Sequence, residues 1–116
     1  MADKTLFEKI IAREIPAQIV YEDDHCVGFR DINPQAPTHV LVVPRKPIRG
    51  IGSAGDEDRE VLGRVLLAAA EVARQQGLGR GYRLVINEGA DAGQTVSHLH
   101  VHVIGGKPLG WPPFPG

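Results

Sequence analysis

His98-Leu99-His100-Val101-His102-Val103-Ile104 is the stretch on which the fold turns, because imidazole and aliphatic side chains alternate along it without a break. Successive side chains of a strand point to opposite faces, so this alternation predicts a strand over His98–Ile104. The three histidines then share one face at steps of about 6.6–6.8 Å. Leu99, Val101 and Val103 turn to the other face, toward a core. Working outward, Tyr82–Asn87 reads as a strand and Glu88–Val96 as a loop of small residues. His39–Val43 reads as another strand, stopped by Pro44. The preceding Asp31–Thr38, with Pro34 and Pro37, stays outside any sheet because proline gives no ladder donor. Gln18–Tyr21 and Cys26–Arg30 make an antiparallel pair around the polar turn Glu22-Asp23-Asp24-His25.

Two helices accompany these strands. Thr5 with Glu8 has the form of a capping box, followed by Leu6, Phe7, Ile10 and Ile11 at helical spacing. Ser53 with Asp56 offers a second box. Beyond the loop Arg45–Gly52 and that box, Val61, Leu62, Val65, Leu66, Ala69, Val72 and Ala73 fall on one stripe that ends before Gly77. Gly63 within it marks either a close approach to the sheet or a tolerated glycine. Five strands with one main helix and a short N-terminal helix predict an α+β fold with a mainly antiparallel sheet, since too few crossover helices exist to cover both faces of a doubly wound one. Residues 1–116 read as a single domain. Its tail, 111–116, carries Trp111 and Phe114 among prolines and reads as packing on something specific, such as a partner subunit.

Composition narrows the function. Among 116 residues, 13 Lys and Arg face 14 Asp and Glu, a net charge of -1 that leaves no cationic excess for a nucleic-acid backbone. A single cysteine, Cys26, forms no internal disulfide. No charged start leads into an apolar run, so a cytoplasmic location is expected. The longest apolar stretch, Val65–Ala70, is far short of the roughly 20 residues a membrane span needs. Two chemistries remain open for the histidines: a metal site, or nucleophilic and acid-base catalysis. Metal binding asks the imidazoles to converge on one ion from about 7 Å apart, with no obvious carboxylate or second cysteine beside them. Gly89, Gly93, Gln94, Thr95 and Ser97 immediately before the strand supply a plausible anion cradle, which favours catalysis on a phosphate.

At His98-Leu99-His100-Val101-His102-Val103 the sequence resembles the histidine triad (HIT) family. The whole chain is similar to its HINT-type, nucleotide-binding branch of purine nucleoside phosphoramidases. The likeness runs through Leu6-Phe7 with Ile10-Ile11, Asp31-Ile32-Asn33-Pro34-Gln35-Ala36-Pro37-Thr38-His39, Asn87-Glu88-Gly89, Gly93-Gln94-Thr95-Val96, and Gly105-Gly106 followed by Trp111-Pro112-Pro113. The resemblance implies a HIT-like fold and a homodimer whose two sheets join. It also implies that His100 attacks the α-phosphorus of an adenosine or guanosine phosphoramidate, releasing an amine and then AMP or GMP through a nucleotidyl-histidine.

By the same resemblance His102 and His98 flank the nucleophile, His39 completes the cluster, and Thr95 supplies a hydroxyl where relatives usually have serine. Phe7, Ile10, Phe29 and Ile32 wall the base pocket, and Asp31 meets the ribose. Asn33, Asn87, Gly93, Gln94 and Val96 complete the nucleotide contacts, and Trp111 reaches the partner subunit. Pro47 stands where relatives often have histidine, and Phe114-Pro115-Gly116 extends the chain. No cofactor or metal is implied; the partners are purine nucleotides, amine- or aminoacyl-linked phosphoramidates and a second copy, not nucleic acid or membrane. Within the family a dinucleoside polyphosphate hydrolase or nucleotidyl transferase is the alternative. Outside it, the alternative is a nucleotide-binding protein-interaction module.

Overall fold

The structure is a computed structural model that describes residues 4–115; residues 1–3 and 116, which the sequence reading placed in the domain and its tail, lie outside the described residues. In chain order it comprises α1 (Leu6–Ile11), β1 (Ile19–Glu22), β2 (Cys26–Arg30), β3 (Thr38–Pro44), α2 (Arg59–Gln75), β4 (Tyr82–Val85) and β5 (Val101–Gly105). The strands form one five-stranded sheet in the order β1-β2-β3-β5-β4, and every neighbouring pair is antiparallel. The α+β architecture read from the sequence is therefore the one observed. No helix among the described residues is long and apolar enough to cross a membrane.

Parity along the strands divides the core in two. Cys26, Val40, Val42, Val101 and Val103 lie under Val65, Ala68, Ala69 and Val72 of α2. Their neighbours Val27, Phe29, Leu41 and Val43 point to the opposite face, under Phe7 and Ile10 of α1. Both sheet faces are thus occupied near β2 and β3. A helix of six residues, though, covers the second face only in part. The α1 start is capped as the sequence indicates: Glu8 N–H donates to Thr5 Oγ1 at 3.2 Å and Thr5 N–H to Glu8 Oε1 at 3.1 Å.

Several expectations are corrected. The last strand begins at Val101, not His98. The β3 ladder reaches Val42 opposite Val101, and two residues further Pro44 has no N–H to continue it. Leu99 N–H instead donates to Ile48 O at 2.6 Å. β4 stops at Val85 rather than Asn87, whereas Thr38 and Pro44 join β3.

No capping box forms between Ser53 and Asp56; instead Gly55 N–H donates to Asp58 Oδ2 at 3.0 Å across a short 3-10 turn, Asp56–Asp58. Asp58 also pairs with Lys46, which ties the β3–α2 connection to the helix start. Gly63 marks no close approach, since a methyl group there would meet nothing within 4 Å. Leu66, placed on the buried stripe by its spacing, is 46 % exposed while Ala68 is buried in its stead. The helix axis thus turns its small residues, not its leucines, to the sheet.

Candidate active site

Backbone hydrogen bonds assign a tautomer to each imidazole, because a carbonyl can only accept and an N–H can only donate. His98 Nε2 lies 2.8 Å from Pro44 O, so this nitrogen carries the proton and donates. His100 Nδ1 lies 2.7 Å from His98 O and donates there, which leaves the lone pair on Nε2. His39 Nδ1 accepts Gln35 N–H at 3.0 Å, so its Nε2 carries the proton and donates to His102 Nδ1 at 2.8 Å. The proton of His102 is thereby placed on Nε2, a buried atom with no partner among the described residues. Its neighbour 5.0 Å away, ring centre to ring centre, is His100. The cluster thus sets a nucleophilic nitrogen next to an unspent N–H donor.

Elements of the sheet hold this arrangement. His39 on β3 and His102 on β5 face α1's side because Leu41, two residues from His39, pairs with His102 across the ladder. His98 and His100 sit outside the ladder but on the same side: the edge of Phe7 meets both, with centres 6.2 Å and 4.9 Å away. Burial pushes the His102 imidazole down to about 4, and the neighbouring His100 and His39 add to this while Asp31 opposes it. Burial likewise lowers His39, partly offset by Asp31, and lowers His98 against the Pro44 hydrogen bond. These rings are therefore kept neutral near pH 7, the state the tautomer assignments require.

Other site candidates fall into two sets. Asp31 is half-buried beside the cluster, with Oδ2 3.5 Å from His39 Nε2, and Oδ1 accepting Asn33 N–H at 2.8 Å. A carboxylate therefore does stand next to the histidines, contrary to the sequence reading. The chain turn that bonds Asp31 N–H to His39 O brings it there. Phe7, Ile10 and Phe29 are buried beneath the site, whereas Ile32 is 98 % exposed.

The loop 88–96 contains a 3-10 turn, Ala90–Ala92, between left-handed Gly89 and Gly93. The Gln94 carboxamide is engaged within this region, accepting Gly89 N–H at 2.9 Å and donating to Arg49 O at 2.9 Å and Val96 O at 3.3 Å. Thr95 is exposed and Asn87 half-buried, and neither bonds a histidine among the described residues. The backbone N–H groups of Thr95 and Val96 also take no acceptor among the described residues. Trp111 is 83 % exposed, with its ring under the Arg83 guanidinium at 5.9 Å. Sequence reasoning did not foresee the roles of Gln35, Pro44 and Arg83, which act through backbone atoms or distant contacts that no motif encodes.

A model of the HIT domain matches residues 12–109. The chain belongs to the HIT family. An uncharacterised HIT-like protein of Synechocystis is 58 % identical over 113 residues, covering 97 % of this chain and 99 % of that protein. A 14 kDa zinc-binding protein of Zea mays is 50 % identical over 111 residues, 94 % of this chain and 87 % of that one. Among solved structures, a HIT family hydrolase of Legionella pneumophila superposes with a TM-score of 0.93 at 46 % identity, covering 96 % of this chain and all of that one.

The name of the maize relative raises a metal-site question for this HIT chain. Ligand atoms of Asp31, His39 and His102 all lie within 4.8 Å of one another. His39, however, is not set to ligate an ion in this geometry. A metal on His39 Nε2 would move the ring proton to Nδ1, where it would face the Gln35 N–H 3.0 Å away, donor against donor.

Proposed function

We propose that this protein hydrolyses purine nucleoside 5'-phosphoramidates to a nucleoside monophosphate and an amine, through a nucleotide covalently held on His100. The observation that carries the reading is the tautomer chain, in which His100 Nε2 offers its lone pair beside the His102 Nε2–H. In the first step His100 Nε2 attacks the α-phosphorus, the bond from phosphorus to the amine nitrogen breaks, and the amine leaves with a proton. In the second, water attacks the same phosphorus, the bond to His100 breaks, and AMP or GMP departs. The His102 N–H is suited to a phosphoryl oxygen throughout, and the Thr95 and Val96 amides to the others. The Thr95 hydroxyl gives the departing amine its proton and recovers one from the attacking water in the second step. His98 holds His100 through its own carbonyl.

Asp31 would take the ribose hydroxyls, and Ile32, Asn33 and Phe29 the base side. Asn87, Gly93 and Gln94 would shape the phosphate loop. No cofactor enters the reaction. The active form is a homodimer joined along the β4 edge: β4 ends the sheet with an unpaired side, and beside it Ile51, Leu62, Leu66 and Ile86 line an apolar depression. Trp111, exposed within one chain, would then lie against the partner's site. The setting proposed is the cytoplasm. Incubating the purified protein with adenosine 5'-phosphoramidate tests the reading. Release of AMP and amine that is lost in His100→Ala and unaffected by chelator supports it. A folded protein that binds AMP without turnover sinks it in favour of a nucleotide-dependent interaction module.

A further inference from the structure

Backbone conformation does not require glycine at Gly50 or Gly52: Gly50 is extended, with φ −176°, and Gly52 is not among the residues of positive φ. At both, a side chain would have to displace the Glu88 carboxylate. A methyl group at Gly50 would lie 2.5 Å from Glu88 Oε1, and one at Gly52 2.9 Å from Glu88 Cδ. In the space so left, Gly52 N–H donates to Glu88 Oε1 at 2.7 Å.

Glu88 stands at the start of the loop that precedes the histidines. That loop closes on itself, since Gln94 N–H donates to Gly89 O at 3.0 Å and Gly89 N–H to the Gln94 side chain at 2.9 Å. It is then pinned to the segment 49–52 twice, by Glu88 on Gly52 and by Gln94 on Arg49 O. Just beyond, His98 and Leu99 bond Pro44 O and Ile48 O. The histidines and the loop therefore share one support, the chain from Pro44 to Gly52. The free amides of Thr95 and Val96 are fixed relative to His100 through it.

We infer that Glu88 is a positioning residue, which clamps the phosphate loop onto Gly52 and so sets the distance between the loop amides and the nucleophilic nitrogen of His100. The inference rests on the function proposed above. Its carboxylate faces the glycine segment and accepts from a backbone donor, a charge-assisted bond stronger than a neutral one. The Gly50 and Gly52 positions are the receiving half of the same clamp.

The test combines Glu88→Ala, Glu88→Gln, Gly52→Ala and the double variant Glu88→Ala/Gly52→Ala. It reads KM and kcat with adenosine 5'-phosphoramidate, Kd for AMP, the melting temperature, and amide hydrogen exchange of the peptide 88–97. Loss of one modest hydrogen bond is worth about fivefold. Glu88→Ala should therefore raise KM and Kd about fivefold, with kcat little changed, the melting temperature lowered by no more than a few degrees, and faster exchange in the loop. Glu88→Gln keeps the acceptor and should restore wild-type behaviour. Gly52→Ala displaces the carboxylate and should reproduce the defect, but add nothing once Glu88 is alanine. Additive losses in the double variant, or unaltered loop exchange in Glu88→Ala, overturn the inference. If the wild type releases no amine, the proposed function fails, while AMP affinity and loop exchange still decide the role of Glu88.

Discussion

Acid should loosen this fold well above the pH at which its carboxylates titrate, and His102 should be the largest single cause. Its imidazole is half-buried between His39 and His100 with Asp31 nearby, and is pushed from an ordinary value near 6.5 down to about 4. A histidine whose folded value is depressed binds its proton more readily in the unfolded chain. Stability is therefore complete above the unfolded value and is lost as the pH falls toward the folded one. Between pH 7.5 and pH 5.0 the shift amounts to at most about 2 kcal/mol from this group, at about 1.4 kcal/mol per pH unit below 6.5.

His39 and His98 are lowered as well and act in the same direction. Glu22, Asp23, Asp58 and Glu60 have their own values lowered below 3.8–4.5, so their losses begin at lower pH and leave this window to the histidines. Urea unfolding followed by far-ultraviolet circular dichroism, at fixed protein concentration, measures the effect at both pH values. His102→Gln should reduce the difference in unfolding free energy between them by most of that 2 kcal/mol. An identical pH dependence in variant and wild type would refute the reasoning, and with it the neutral state on which the tautomer chain depends.

Three further outcomes follow from the packing and the site. Thr5→Ala removes one half of the α1 capping box and should cost about 1 kcal/mol in the same urea experiment. Gly28→Ala would put a methyl group 3.1 Å from Tyr21 Cβ and 3.6 Å from Val72 beneath α2, and such overpacking should destabilise by about 1–3 kcal/mol. Leu66→Glu places a charge in the apolar depression beside β4 and should shift sedimentation from dimer to monomer; a variant that stays dimeric would place the interface elsewhere.

The sequence is informative wherever chemistry repeats locally. Alternation along 98–104 discloses that Val101 and Val103 enter the α2 core. The first cap is legible because Thr5 and Glu8 bond each other reciprocally within three residues of chain. What stays hidden depends on distant backbone atoms. The strand could not be started at Val101 without knowing that Val42 lies opposite it and Pro44 two residues further on. The proton on His102 is placed by the amide of Gln35 acting through His39, across 63 residues of chain between the two rings. The α2 stripe differs at Leu66 because the helix turns Val65, Ala68, Ala69, Val72 and Ala73 to the sheet, and hydropathy alone ranks leucine above alanine. Asp31 beside the histidines is hidden for a similar reason, since it reaches His39 through a turn and His102 only through the β3–β5 pairing.

The central claim is that His100 carries the nucleotide between two displacements, and the stereochemistry at phosphorus tests it without depending on the lifetime of any intermediate. Hydrolysis of an adenosine phosphoramidothioate of known configuration in oxygen-labelled water should give a product with net retention, because two in-line displacements invert twice. Net inversion would mean that water attacks the substrate directly, and would contradict the account.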